Sequence, residues 1–288
     1  MQRKSFAIGR SRATYIGQLI HSDLCGPMQT PSLTGARYFL LFTDDCSGWR
    51  QVYFLQQKSE TPDRFKEYVT LLRSETSNFG HALRTDNGGE YCSIIFREWL
   101  SKKDTRHESS APHCPEQNGV AERANRTVVE AARRLIHAKG LPIKFWAEAV
   151  ACAVYTLNRV PSKASKSTPY QIWHKAKPDL TNLCIFGSTA FVHIPAAERR
   201  KIDPKSIKCI FIGYYQTQKA QRFWDPVARR VSRDAIFDEN RQFDFFSTVV
   251  NPIEGELNIN NPPICNEMET TPSIPTDFNQ SGMHTAPP

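Results

Sequence analysis

The order in which the apolar period changes along residues 16–160 limits the fold more than any single motif. Residues 16–24, 37–45 and 49–55 read as three short strands. Gly26-Pro27 ends the first, and Ser47-Gly48 makes a tight turn between the second and third. Thr61-Pro62 then opens a helix, with Thr61 as its cap and Phe65, Tyr68, Val69 and Leu72 along one face. Residues 81–85 form a fourth strand. Ile94, Ile95, Trp99 and Leu100 mark a second helix, and residues 105–109 a fifth strand. A long helical period runs from Val120 to His137, stopped by Gly140 and Pro142, and another from Lys144 to Arg159. This order predicts an α/β fold: a mixed five-stranded sheet covered by helices.

Residues 161–183 are rich in Ser, Lys, Thr and Pro and predict a linker. After residue 184 the period drops to two. Strands at 184–194, 207–213, 220–225 and 229–237 predict a small β-barrel over residues 184–240. Residues 241–288 combine Pro and Asn with few large apolar groups, a composition that predicts a disordered tail. Residues 1–15 predict a basic arm. All 37 Lys and Arg lie at or before Arg241, against 23 of the 29 Asp and Glu. A body this basic suits a polyanion, though charge alone leaves a plain basic surface equally open. The eight Cys include no C-x-x-C pair, which predicts isolated reduced thiols and neither a disulfide frame nor a zinc site. No segment has the length and apolarity of a signal peptide or a membrane span, so the chain is expected not to be secreted.

Three carboxylates stand out. Asp23 ends the first strand, Asp86 follows the fourth and precedes Gly88-Gly89, and Glu122 sits in the first turn of the long helix, with 35 residues between the last two. Such a set can converge on one point and hold hard divalent cations through oxygen. Two cations sharing a carboxylate can assist in-line phosphoryl displacement. Taken singly, each residue is equally well an ordinary acid at a strand end or helix start. Asp44 and Asp45, also at a strand end, compete with Asp23 for the role.

The strings RTDNGGEY (84–91), PEQNGVAERANRT (115–127) and FTDDCSGWR (42–50) resemble the integrase segment of copia-type LTR retrotransposon (retrovirus-related) Pol polyproteins. The resemblance runs from about residue 1 to about residue 240. It implies a ribonuclease H-like catalytic core over residues 16–160, followed by an SH3-like β-barrel. It also implies a catalytic, metal-binding triad of Asp23, Asp86 and Glu122 using two Mg²⁺ or Mn²⁺ ions. The family's N-terminal zinc-binding module has no counterpart here, so no zinc is expected. The implied activity is 3′-end processing and strand transfer on double-stranded DNA, by a homo-oligomer acting in the nucleus and without a membrane. Two alternatives stay open: a catalytically inactive DNA-binding derivative of the fold, and a ribonuclease H-like nuclease.

Candidate DNA contacts are Asn118, Arg123, Arg126 and Arg133 at and along the long helix, and Lys208 and Arg222 in the barrel. Asn118-Gly119 is expected to form a positive-φ turn that sets the helix. The basic helix face is as readily a solvated face. In the barrel, Phe223 and Trp224 could stack on bases or form core, and core is favoured for whichever points inward.

Overall fold

The computed structural model describes residues 12–86, 88–91, 93–109, 118–161, 166–194, 196–215, 220–225, 230–232 and 235–242. Strands β1 (Ile20–Cys25), β2 (Tyr38–Asp44) and β3 (Arg50–Leu55) form an antiparallel meander. Strands β4 (Ala82–Thr85) and β5 (Arg106–Ser109) add on the other side of β1, both parallel to it. The order β3-β2-β1-β4-β5 is the mixed five-stranded sheet of the ribonuclease H-like fold. Asp44 makes the β2–β3 turn possible. Its Oδ2 accepts from the backbone N–H and the hydroxyl of Ser47, at 2.8 and 2.6 Å.

Alternation along the strands divides the core. On one face Ile20, Leu40, Phe42 and Leu83 meet α1 (Thr61–Thr76) and α2 (Ile94–Lys102) through Phe65, Tyr68, Leu72, Phe96 and Leu100. On the other, Phe39, Leu41 and Val52 meet α3 (Gly119–Ala138) and α4 (Trp146–Leu157) through Ala124, Val128, Ala132, Ala149 and Val150. Two details differ from expectation. Glu60, not Thr61, occupies the cap position of α1, and Thr61 is buried inside the helix. Ile94 and Ile95 are exposed, and Phe96 with Leu100 makes the buried face of α2.

Residues 161–183 are more than the linker expected from their composition. Thr168 caps a short helix, α5 (Pro169–His174), by accepting from the Gln171 N–H. That helix drives Trp173 into the core, where it is 1% exposed. Its indole stacks on Trp49 at 5.4 Å and donates to Glu75 at 2.6 Å. One large aromatic residue outweighs a polar neighbourhood, because burying it removes more apolar surface than any other side chain can.

The second sheet contains β6 (Ser188–His193), β7 (Ser206–Tyr214), β8 (Gln221–Trp224), β9 (Arg230–Ser232) and β10 (Ala235–Gln242), in the order β10-β6-β7-β8-β9. The single strand expected at 229–237 is two strands at opposite edges of this sheet: β9 pairs with β8, and β10 with β6. β10 also runs to Gln242, past the expected start of the tail. Cys209 and Phe211 of β7 pack with Ala190, Val192 and Phe223 on one face. Ile210 and Ile212, pointing the other way, join the α3–α4 side of the core. Gly187 enters this sheet at φ +81°, where a Cβ would stand 2.8 Å from the Lys139 Cβ. That approach needs glycine.

The described residues fall within one compact unit. Among them no helix is long and apolar enough to cross a membrane. Most of the basic arm and all of the tail beyond Gln242 lie outside the described residues, as do His113, Glu116, Lys219, Arg229 and Arg233.

Candidate active site

Asp23 pairs across from Leu41 in the β1–β2 ladder, so its side chain shares the α3 face of the sheet. Asp86 directly follows β4, the neighbour of β1, and its Oδ1 accepts from the Gly88 N–H at 3.1 Å. Glu122 lies in the first turn of α3, exposed, with its N–H donating to the Asn118 carbonyl at 3.1 Å. The three carboxylates therefore arrive from the middle of one strand, the end of its neighbour and the start of a helix.

Their proximity registers in the chemistry of Asp23. Its carboxyl is pushed up to about 6, first by burial, then by the charge of Asp86, with Glu122 adding to it. A hydrogen bond from Asn125 works the other way. Asp86 and Glu122 thus stand near enough for their charges to act on Asp23. The set remains open: among the described residues no three His, Cys, Asp or Glu side chains stand close enough together to hold a metal ion. None of the three takes part in an ion pair among those residues. Oxygen donors in excess of nearby cations are a donor set suited to a hard divalent cation.

Asn125 is a site residue that the sequence reading missed. Its Nδ2 donates to Asp23 Oδ2 at 2.9 Å, and its Oδ1 is buried without a partner. The signal was present in the spacing. Asn125 follows Glu122 by three, so both lie on one face of α3.

Asp44 and Asp45 are structural. Asp44 is fully buried, and besides Ser47 it accepts from the Gly17 N–H at 2.7 Å. Burial raises its pKa. Asp45 binds His21 Nε2 at 2.9 Å and the Ala13 N–H at 2.7 Å. Burial pushes the Asp45 pKa up, but these bonds and the charges of His21 and Arg12 hold it below the usual value.

The candidate DNA contacts divide. Arg123, Arg126 and Arg133 are exposed along α3. Asn118 is 2% exposed and adopts φ −100°, with Gly119 opening the helix, so the expected positive-φ turn does not form there. The helix is set instead by the Asn118 carbonyl. Lys208 is half-buried on β7. Arg222 is directed at α4, with its Nη2 3.7 Å from the buried Glu148 carboxylate. Phe223 is core, and Trp224 packs edge-on against Phe145 at 5.2 Å, so both aromatics serve packing.

A core of this strand order with a carboxylate site between β1, β4 and α3, followed by a small antiparallel sheet, defines an integrase-type protein. The integrase core domain model matches residues 14–115, and the retroviral polymerase SH3-like domain model matches residues 188–251. The chain belongs to the integrase region of copia-type, retrovirus-related retrotransposon Pol polyproteins. It is 42% identical over 241 residues to the retrovirus-related Pol polyprotein from transposon TNT 1-94 of Nicotiana tabacum, covering 83% of this chain and 18% of that protein. It is 33% identical to the Pol polyprotein from transposon RE2 of Arabidopsis thaliana, covering 75% of this chain and 15% of that one. The chain thus spans less than a fifth of the length of these curated relatives. Among solved structures, the HTLV-2 integrase catalytic core domain in complex with magnesium aligns at a TM-score of 0.44 and 22% identity, covering 57% of this chain and 100% of that one.

Proposed function

We propose that this chain carries out metal-dependent phosphoryl transfer on double-stranded DNA: trimming of element 3′ ends by water, then attack of the new 3′-hydroxyl on a target phosphodiester. The observation that carries this reading is the electrostatic coupling of Asp23 to Asp86 and Glu122, which together with burial pushes the Asp23 carboxyl up to about 6. Asp23, Asp86 and Glu122 would hold Mg²⁺ or Mn²⁺. When bound, two such ions activate the attacking oxygen and stabilise the leaving one.

The chain's own residues supply the positioning. Asn125 fixes the orientation of the Asp23 carboxylate and favours its charged form. The hydrogen bond from the Glu122 N–H to the Asn118 carbonyl anchors the first turn of α3, so that Glu122 opens at the mouth of the site. Arg126 and Arg133, exposed farther along α3, contact the DNA backbone, with Arg123 on its first turns. Such contacts orient the duplex while carrying little sequence information. Joining two element ends to one target calls for a homo-oligomer, and access to chromosomal DNA for action in the nucleus. The reading places the catalytic core at residues 16–160 and the SH3-like sheet at residues 184–240.

The test is a strand-transfer assay on the full chain with a pre-cleaved duplex end and Mg²⁺ or Mn²⁺, comparing the native protein with Asp86→Asn. Joined product from the native protein and its loss by at least about a hundredfold in the variant are expected, since a charged ligand oxygen is removed from the developing charge. Equal product from the two proteins removes the catalytic reading and favours the DNA-binding derivative.

A further inference from the structure

Beside the carboxylate site lies a row of polar side chains that the proposed chemistry does not use. The sheet ladders place Arg50, Thr43, His21 and Arg84 directly opposite one another on four successive strands. The row is displaced from Asp23 by two residues of β1, about 7 Å along the strand. It floors a cavity of about 660 Å³, roofed by Val120, Arg123 and Thr127 of α3.

The row is short of acceptors. Arg50 Nε and Thr43 Oγ1 are buried donors without a hydrogen-bond partner; His21 Nδ1 is unpartnered too, but with Nε2–H on Asp45 the neutral ring presents a lone pair there. Such groups cost free energy unless something satisfies them. The acidic groups of the cavity cannot do so. Both are turned to other donors: Asp44 accepts from Gly17 and Ser47, and Asp45 from His21 Nε2 and Ala13. Arg84 is already paired, its Nε 3.0 Å from Glu108. Burial alone lowers the pKa of Arg50, with no carboxylate offsetting it. Arg12 and Arg123, both exposed, stand on the walls.

The geometry points to a phosphoryl-binding subsite in this cavity, in which Arg50 and Thr43 donate to a phosphate oxygen and Arg123 closes over it. An anion with several acceptor oxygens satisfies these donors at once, and a guanidinium suits that geometry. The separation from Asp23 is on the order of that between successive phosphates of an extended strand, so a backbone phosphate next to the reacting one is the source favoured. That choice of source rests on the DNA reading above. The subsite itself also accommodates a free phosphate group.

Two arms, both in EDTA, test it on the full chain. In the first, inorganic phosphate is titrated while the melting midpoint is followed. In the second, duplexes bearing one neutral methylphosphonate linkage at a time are bound at several salt concentrations. In the native protein one linkage is expected to weaken binding roughly tenfold, the size of a lost charge-assisted bond. Arg50→Met should weaken binding of the unmodified duplex by a similar factor, lose the penalty at that linkage, and reduce the salt slope by about one contact. Thr43→Val, which keeps the shape, should do the same more weakly, and Arg50→Lys should retain part of the binding, so a misfolded Arg50→Met does not decide the outcome. A response to inorganic phosphate alone, abolished by Thr43→Val, supports the subsite and assigns it to a free phosphate. Variants that match the native protein in both arms overturn the proposal. No joining reaction is measured, so a chain inactive in strand transfer leaves this result standing, and failure here leaves the catalytic reading standing.

Discussion

Replacing Asn125 by Leu removes the donor to Asp23 while keeping the side chain's size. Asp23 titrates near 6 against an ordinary 3.8, so its surroundings already disfavour the carboxylate by about 2–3 kcal/mol after allowance for solvent screening. That is the balance left after the 2.9 Å bond from Asn125 has stabilised the charged form. A hydrogen bond to a charged group contributes about 1.5–3 kcal/mol, so its loss should raise the Asp23 midpoint by roughly one pH unit or more. Near pH 7 about half of the metal-free variant would then carry a neutral Asp23. The measurement is a carbon-detected NMR titration of the Asp23 carboxyl in native and Asn125→Leu proteins without divalent ions. The apparent Mg²⁺ affinity at pH 7 should fall several-fold in parallel, because the proton competes with the metal. A midpoint that stays put or moves down would refute the idea that Asn125 holds Asp23 ionised.

The same coupling sets a sign for stability. Asp23 has a folded pKa above its unfolded one, so the folded state binds the extra proton between about pH 4 and 6. Metal-free protein should therefore lose stability as pH rises through that window, and Asp86→Asn, by removing the neighbouring charge, should flatten the loss in a melting series from pH 4 to 7.5. Trp173→Ala should destabilise by about 3–5 kcal/mol in urea unfolding, because it empties a core site 1% exposed. A change below about 1 kcal/mol would return residues 161–183 to the status of a linker. Arg222→Ala should cost about 1 kcal/mol of stability by removing one partner of the buried Glu148, while leaving the salt dependence of DNA binding unchanged.

Much of the architecture was legible because local patterns were consistent with one another. Strands β1 to β3, the long helix α3, and the places of Asp86 after β4 and of Glu122 in the first turn of α3 follow from apolar period and turn residues; Asp23, expected at a strand end, lies within β1. Local rules failed where a distant partner decides the outcome. Nothing around Trp173 announces that it is core, because the pocket that receives it is built from Trp49 and the α1 face, more than a hundred residues earlier. Nor does anything around Arg222 announce its 3.7 Å approach to Glu148 on α4, more than seventy residues earlier.

Read alone, the chain determines which residues are acidic, which segments alternate with period two or 3.6, and where glycine and proline break them, since these are properties of neighbours in sequence. Only the folded sheet decides which side chains share a face and a row. Ladder registry sets Arg50, Thr43 and His21 side by side, and the crossing of α3 over β1 brings Asn125 to Asp23. Both depend on strands and helices distant in sequence packing at fixed spacing, which no local pattern encodes.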